Sequence, residues 1–102
     1  MNIQDQIKKQ IADNHIILYM KGNAEMPLCG FSARAVNILK SFDAPFTTID
    51  VLQNEEIRSG IKVFSNWPTI PQLYINGEFI GGSDIMNEML ESGELQALIQ
   101  KI

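Results

Sequence analysis

The chain has one cysteine, one histidine and no long apolar run in its 102 residues, and each shortage closes a class of function. A single thiol, Cys29, cannot form a disulfide within the chain. A reducing compartment is the simplest setting for it, so a cytoplasmic location is expected. His15 has no second ligand type beside it in sequence, which argues against a metal site built on it. No stretch approaches the roughly 20 apolar residues of a membrane span. The first twenty residues carry Asp5 and Asp13 and lack an apolar run followed by small residues, so neither a signal nor a transit peptide is expected. Basic residues are few and scattered (Lys8, Lys9, Lys21, Arg34, Lys40, Arg58, Lys62 and Lys101), against a net charge of -4. That pattern argues against nucleic acid as a partner, while a small anion could still engage two or three of these groups locally.

What is present is a globular balance, 45% hydrophobic and 20% charged, enough for one domain spanning residues 1–102. Ile3, Ile7 and Ile11 recur every four residues and predict a first helix ending near Asn14. Ile16 to Met20 is continuously apolar and β-branched at its start, the pattern of a central strand buried on both faces. Gly22 to Leu28 reads as a loop, and Phe31, Ala35, Val36, Ile38, Leu39 and Phe42 place a helix just after Cys29. Phe46 to Val51 predicts a second strand, parallel to the first because a helix connects them. Ile57, Ile61 and Phe64 mark a third helix, ended by the rigid loop Trp67-Pro68-Thr69-Ile70-Pro71.

Leu73–Ile75 and Glu78–Ile80 flank Asn76-Gly77, a strong hairpin signal because a type I′ turn needs positive φ at both centres. Gly81-Gly82 closes the hairpin, Ser83 or Asp84 can cap a following helix, and Gly93 separates a last helix, Glu94 to Ile102. A β-α-β half and a β-β-α half then meet in one four-stranded mixed sheet flanked by helices, with an additional N-terminal helix. This is the α/β, thioredoxin-like architecture.

Cys29 falls at the expected start of the second helix, where unpaired N–H groups and the helix dipole favour a thiolate. Lys21, at the end of the first strand, is carried to the same sheet edge and adds positive charge. The alternative for Cys29 is a small buried hydrophobe with no role.

Lys21-Gly22, Pro27-Leu28-Cys29-Gly30-Phe31-Ser32, Trp67-Pro68-Thr69-Ile70-Pro71-Gln72 and Gly81-Gly82-Ser83-Asp84 occur in that order. Together they resemble the monothiol glutaredoxins of the CGFS type over essentially the whole chain. The seven residues between Lys21 and Cys29 match the longer loop of that class. Ser32 stands where a dithiol oxidoreductase has its second Cys, and a hydroxyl cannot resolve a mixed disulfide. Exchange at Cys29 therefore stops at the glutathione mixed disulfide unless another thiol attacks. A [2Fe-2S] cluster takes four thiolates, of which one chain supplies one. The resemblance implies a homodimer bridged by one cluster, each subunit giving Cys29 and holding a glutathione whose sulfur is a further ligand.

The resemblance also implies roles around the thiol. Lys21 and Arg58 take the glycyl carboxylate of glutathione, Arg58 through a forked pair of donors; taken by itself Arg58 reads rather as solvated charge, whereas Lys21, beside the thiol, reads as functional. Ile70-Pro71 corresponds to the cis peptide of the fold, which would aim the Ile70 backbone at the cysteinyl unit as an added strand. Sequence alone does not separate cis from trans there. Ser83 and Asp84 open a helix whose N–H groups suit the γ-glutamyl carboxylate, and Asp84 takes the ammonium, unless it is a plain cap. Many family members carry Phe at the position of Ile70 and Cys at that of Ser83. The role of Trp67 stays open between packing and binding.

Three functions compete. A carrier would assemble clusters on a glutathione-ligated dimer and pass them to apo iron-sulfur proteins, and the resemblance adds a BolA-type protein as a heterodimer partner. An enzyme would exchange glutathione with protein thiols through Cys29 alone. An interaction module with an incidental Cys would bind no glutathione.

Overall fold

The computed structural model describes residues 2–100. Its order is α1 (Ile3–Ala12), β1 (Ile16–Met20), α2 (Gly30–Lys40), β2 (Thr47–Asp50), a 3₁₀ turn (Val51–Gln53), α3 (Glu55–Ser65), β3 (Gln72–Ile75), β4 (Glu78–Gly81), α4 (Ser83–Ser92) and α5 (Glu94–Gln100). The sheet order is β2-β1-β3-β4. β1 runs parallel to β2, with Ile17 opposite Thr47 and Met20 opposite Asp50. It runs antiparallel to β3, with Ile17 opposite Tyr74. Because β1 is interior to the sheet and helices cover both faces, all five of its residues are buried, as the unbroken apolar run requires.

Side chains alternate along the strands and sort into two cores. Ile16, Leu18, Met20, Leu73 and Ile75 face Val36, Leu39, Met86, Leu95 and Ile99 of α2, α4 and α5. Ile17, Tyr19 and Tyr74 face Ile7, Ile11, Ile57 and Ile61 of α1 and α3. The second core is polar at two points, and both are satisfied. The Tyr19 hydroxyl donates to Gln10 Oε1 at 2.7 Å and the Tyr74 hydroxyl to Gln72 Oε1 at 3.0 Å. The two rings meet edge to face with centroids 5.8 Å apart, a favoured aromatic geometry.

Local chemistry sets the element ends. Asn2 caps α1 by accepting from the Asp5 N–H, and Asn54 caps α3 by accepting from the Ile57 N–H, each satisfying a donor the helix leaves free. The hairpin turn has φ of 52° at Asn76 and 84° at Gly77, as expected for type I′.

Several boundaries differ from the sequence expectation. α1 stops at Ala12. β2 begins one residue after Phe46 and ends before Val51, which opens the 3₁₀ turn. Phe42 lies beyond α2 yet packs on its core, so its apolar character reflected burial rather than helical phase. Phe31 is on the helix but 61% exposed. Neither Ser83 nor Asp84 caps α4: Gly82 holds that place with no side-chain bond, and Ser83 is already helical and buried. α5 is described to Gln100, and the last two residues of the expected helix lie outside the described ones.

Candidate functional site

The thiol is built onto the carboxyl end of β1. After Lys21 the chain turns at Gly22, whose φ is 87°; a β-carbon there would run into the Met26 carbonyl. The loop returns through a Gly22–Pro27 bridge, and the Leu28 N–H donates to the Lys21 carbonyl at 2.9 Å. Three side chains fasten it. Asp50 Oδ1 accepts from the Gly22 N–H at 2.9 Å, Asn23 Oδ1 accepts from the Met26 N–H at 2.8 Å, and Lys40 Nζ donates to the Ala24 carbonyl at 3.0 Å.

This loop delivers Cys29 as the cap of α2, with its sulfur accepting from the Ser32 N–H at 3.3 Å. Ser32 is fully buried, and its Oγ lies 3.2 Å from the sulfur. The same Oγ accepts from the Lys21 N–H at 3.1 Å, so its proton is free to point at a thiolate. Partial burial pushes the Cys29 thiol up. Hydrogen bonds from the Ser32 hydroxyl and from the Ser32 and Phe31 N–H groups, together with the Lys21 charge, outweigh that and hold it below its ordinary value. These contacts favour the thiolate form of the sulfur, as its placement at a helix start predicted.

Beside it lies an open cleft of about 430 Å³, walled by Lys21, Phe31, Lys62, the Trp67–Pro71 loop and residues 82–85. That is within the roughly 300–1,000 Å³ of small-molecule sites. Lys21, Ile70, Ser83 and Asp84 are all brought to this wall. The Ile70-Pro71 peptide is cis. Arg58 is not brought to the wall; its guanidinium sits 3.8 Å from Glu55 on its own helix. Lys62, one turn further along α3, is there instead. Sequence reasoning passed over Lys62, although the four-residue spacing from Arg58 places both on one helix face.

Gln72 was also missed as a functional residue. It is fully buried on β3, and its amide nitrogen donates to the Trp67 and Thr69 carbonyls, each at 3.2 Å. It thereby clamps the loop that carries Ile70. The signal was a polar residue at the head of an otherwise apolar strand. Trp67, whose role was open, packs with its ring centroid 6.0 Å from that of Phe79 and also lines the cleft. Asp84 meets Arg34 of α2 at 3.4 Å. Among the described residues no group of three or more His, Cys, Asp or Glu could hold a metal ion. No helix among them is long and apolar enough to cross a membrane.

A cysteine at a helix cap, a clamped loop with a cis proline and a cleft between them define a protein of the thioredoxin-like fold with a single thiol. The family profile described as Glutaredoxin matches residues 16–80. Glutaredoxin 4 of Pasteurella multocida is 49% identical over 102 residues, spanning 100% of this chain and 94% of that one. A monothiol glutaredoxin of Synechocystis sp. is 53% identical over 95 residues, 93% of this chain and 89% of the relative. The solution structure of a monomeric truncated mutant of Trypanosoma brucei 1-C-Grx1 superposes with a TM-score of 0.88 at 39% identity, covering 99% of this chain and 91% of that one. The chain belongs to the glutaredoxin family, in its monothiol branch.

Proposed function

We propose that the chain binds glutathione in the cleft and shares a [2Fe-2S] cluster between two copies, for assembly, storage or transfer to apo iron-sulfur proteins in the cytoplasm. The observation that carries the reading is Ser32 in place of a second thiol, buried and bonded to the sulfur of Cys29. The donor set fits the cluster on one condition. Each chain offers one thiolate, so two chains leave two coordination positions for external thiols.

Cys29 would hold iron, and the groups that lower its pKa would keep it deprotonated for that purpose. Lys21, Arg58 and Lys62 would attract the glycyl carboxylate of glutathione, the Ile70 backbone would pair with the cysteinyl unit, and Ser83 and Asp84 would receive the γ-glutamyl end. Met26, Leu28 and Phe31 flank Cys29 in the chain and are 66%, 57% and 61% exposed, apolar side chains suited to contact with a second chain or a BolA-type partner. When bound, the cluster supplies transferable iron and sulfide.

The lowered thiol also favours a second reading, monothiol exchange. The Cys29 thiolate would attack a glutathionylated protein, form Cys29-S-S-glutathione and release the protein thiolate. A second glutathione thiolate would then break that bond and leave as glutathione disulfide.

Reconstitution with iron and sulfide, with and without glutathione, separates the two. A coloured dimer that requires both glutathione and Cys29 supports the carrier. A colourless monomer that rapidly deglutathionylates a peptide supports exchange.

A further inference from the structure

We infer that Arg34, which stands behind the cleft wall and reaches it only through Asp84, is a specificity-determining residue for glutathione: with Asp84 it forms a two-charge receptor for the free α-amino-acid head of a γ-glutamyl group. The inference rests on the glutathione reading above and adds a residue and a chemical criterion to it.

Asp84 stands on the cleft wall at the start of α4, and Arg34 reaches it from α2 across fifty positions of sequence, with Nη1 3.4 Å from Oδ1. The pair is open to a ligand, since the two side chains are 47% and 81% exposed. A guanidinium carries five N–H donors in a planar fork, and this contact occupies one of them. The others remain available to an incoming anion.

The charge arrangement decides what fits. A carboxylate alone would accept any ammonium. With a guanidinium beside it, a bare ammonium gains attraction to Asp84 and repulsion from Arg34, and the two largely cancel. A head that carries ammonium and carboxylate on one carbon pairs both groups at once, ammonium to the Asp84 side chain and carboxylate to the N–H groups at the start of α4 with Arg34 as an added charged donor. The γ-linked glutamyl residue of glutathione has such a head, because its peptide bond leaves the α-carbon charges free. An ordinary amino-terminal residue has spent its α-carboxylate in the peptide bond.

The test is calorimetric titration of the full chain and its Arg34→Gln variant with two peptides, glutathione and 4-aminobutanoyl-cysteinylglycine, which lacks only the glutamyl α-carboxylate. The variant is expected to bind glutathione roughly fivefold more weakly, the upper range for partly exposed charge pairs. It should bind the analogue as tightly as the unchanged protein or tighter. Equal weakening toward both peptides, or no change toward glutathione, overturns the role of Arg34 while leaving the glutathione reading standing. Failure of the unchanged protein to bind either peptide overturns the glutathione reading and this inference together.

Discussion

The site has two kinds of wall. The loop from Lys21 to Cys29 and the loop from Trp67 to Pro71 are fastened from below by Ser32, Asp50 and Gln72, whose polar atoms bond backbone groups. The charges that would read a ligand, Arg34, Arg58, Lys62 and Asp84, stand on helices, and every ion pair among them is substantially exposed. Shape and sulfur environment are thus fixed by hydrogen bonds that are partly buried. Recognition on the proposed reading would rest on solvated charges worth about 1 kcal/mol or less each. The difference teaches that the reactive geometry should fail abruptly when a fastener is lost, whereas affinity should erode in small steps.

The largest effect expected from breaking a fastener is at Gln72. Gln72→Met keeps the volume but removes the acceptor of the Tyr74 hydroxyl and the donor to the Trp67 and Thr69 carbonyls, at a cost of about 2 kcal/mol. Urea unfolding should show a lower midpoint with the same slope. An unchanged midpoint would mean that the amide does not hold the loop.

Alkaline titration probes the same buried layer. Burial raises Tyr74 from about 10 to about 12 and pushes Tyr19 up as well, with the neighbouring Tyr74 adding to the shift. A group that binds its proton more tightly when folded contributes stability below its unfolded pKa and loses it as pH climbs through the folded value. Stability should stay level up to pH 10 on this account and fall between 10 and 12. Tyrosine absorbance titrating near pH 10 without loss of fold would refute the burial argument.

Ser32→Ala should act more locally. It removes the hydroxyl bond to sulfur and an acceptor for the Lys21 N–H, a loss of about 1 kcal/mol in stability. The pH midpoint of Cys29 alkylation should move up toward that of an ordinary thiol, and an unmoved midpoint would assign the thiolate to the helix start alone. The smallest effects belong to the charged rim. Lys62→Gln should weaken glutathione roughly threefold, and Arg58→Gln by less, because only Lys62 lines the cleft. The reverse order would show that Arg58 leaves Glu55 to meet the ligand.

The fastened walls were also the legible ones. Gly22, Pro27, Cys29 and Ser32 are residue types whose backbone or valence demands are specific, so they located the thiol and its loop in the sequence, whereas the cis peptide at Ile70-Pro71 was implied by the resemblance alone. The apolar run Ile16–Met20 identified the central strand because only burial on both faces explains it. The rim was less legible. A lysine or arginine on a helix has no periodic or conformational signature of function, and the choice between Arg58 and Lys62 depends on where the cleft opens along α3. Asp84 read equally as cap and as ligand, and Gly82 took the cap without any side chain. Gln72 was quoted as part of a motif, but its clamping role was not legible because its partners, two carbonyls in the proline-containing loop, become its neighbours only after that loop folds back on β3.

The central claim is that one thiolate per chain obliges the cluster's other ligands to come from outside the chain. Native mass spectrometry of the reconstituted coloured species tests it most directly. The account predicts two chains, one [2Fe-2S] unit and two glutathione molecules in a single particle, and none from a Cys29→Ser preparation. A cluster held by one chain, or by two chains without glutathione, would contradict it.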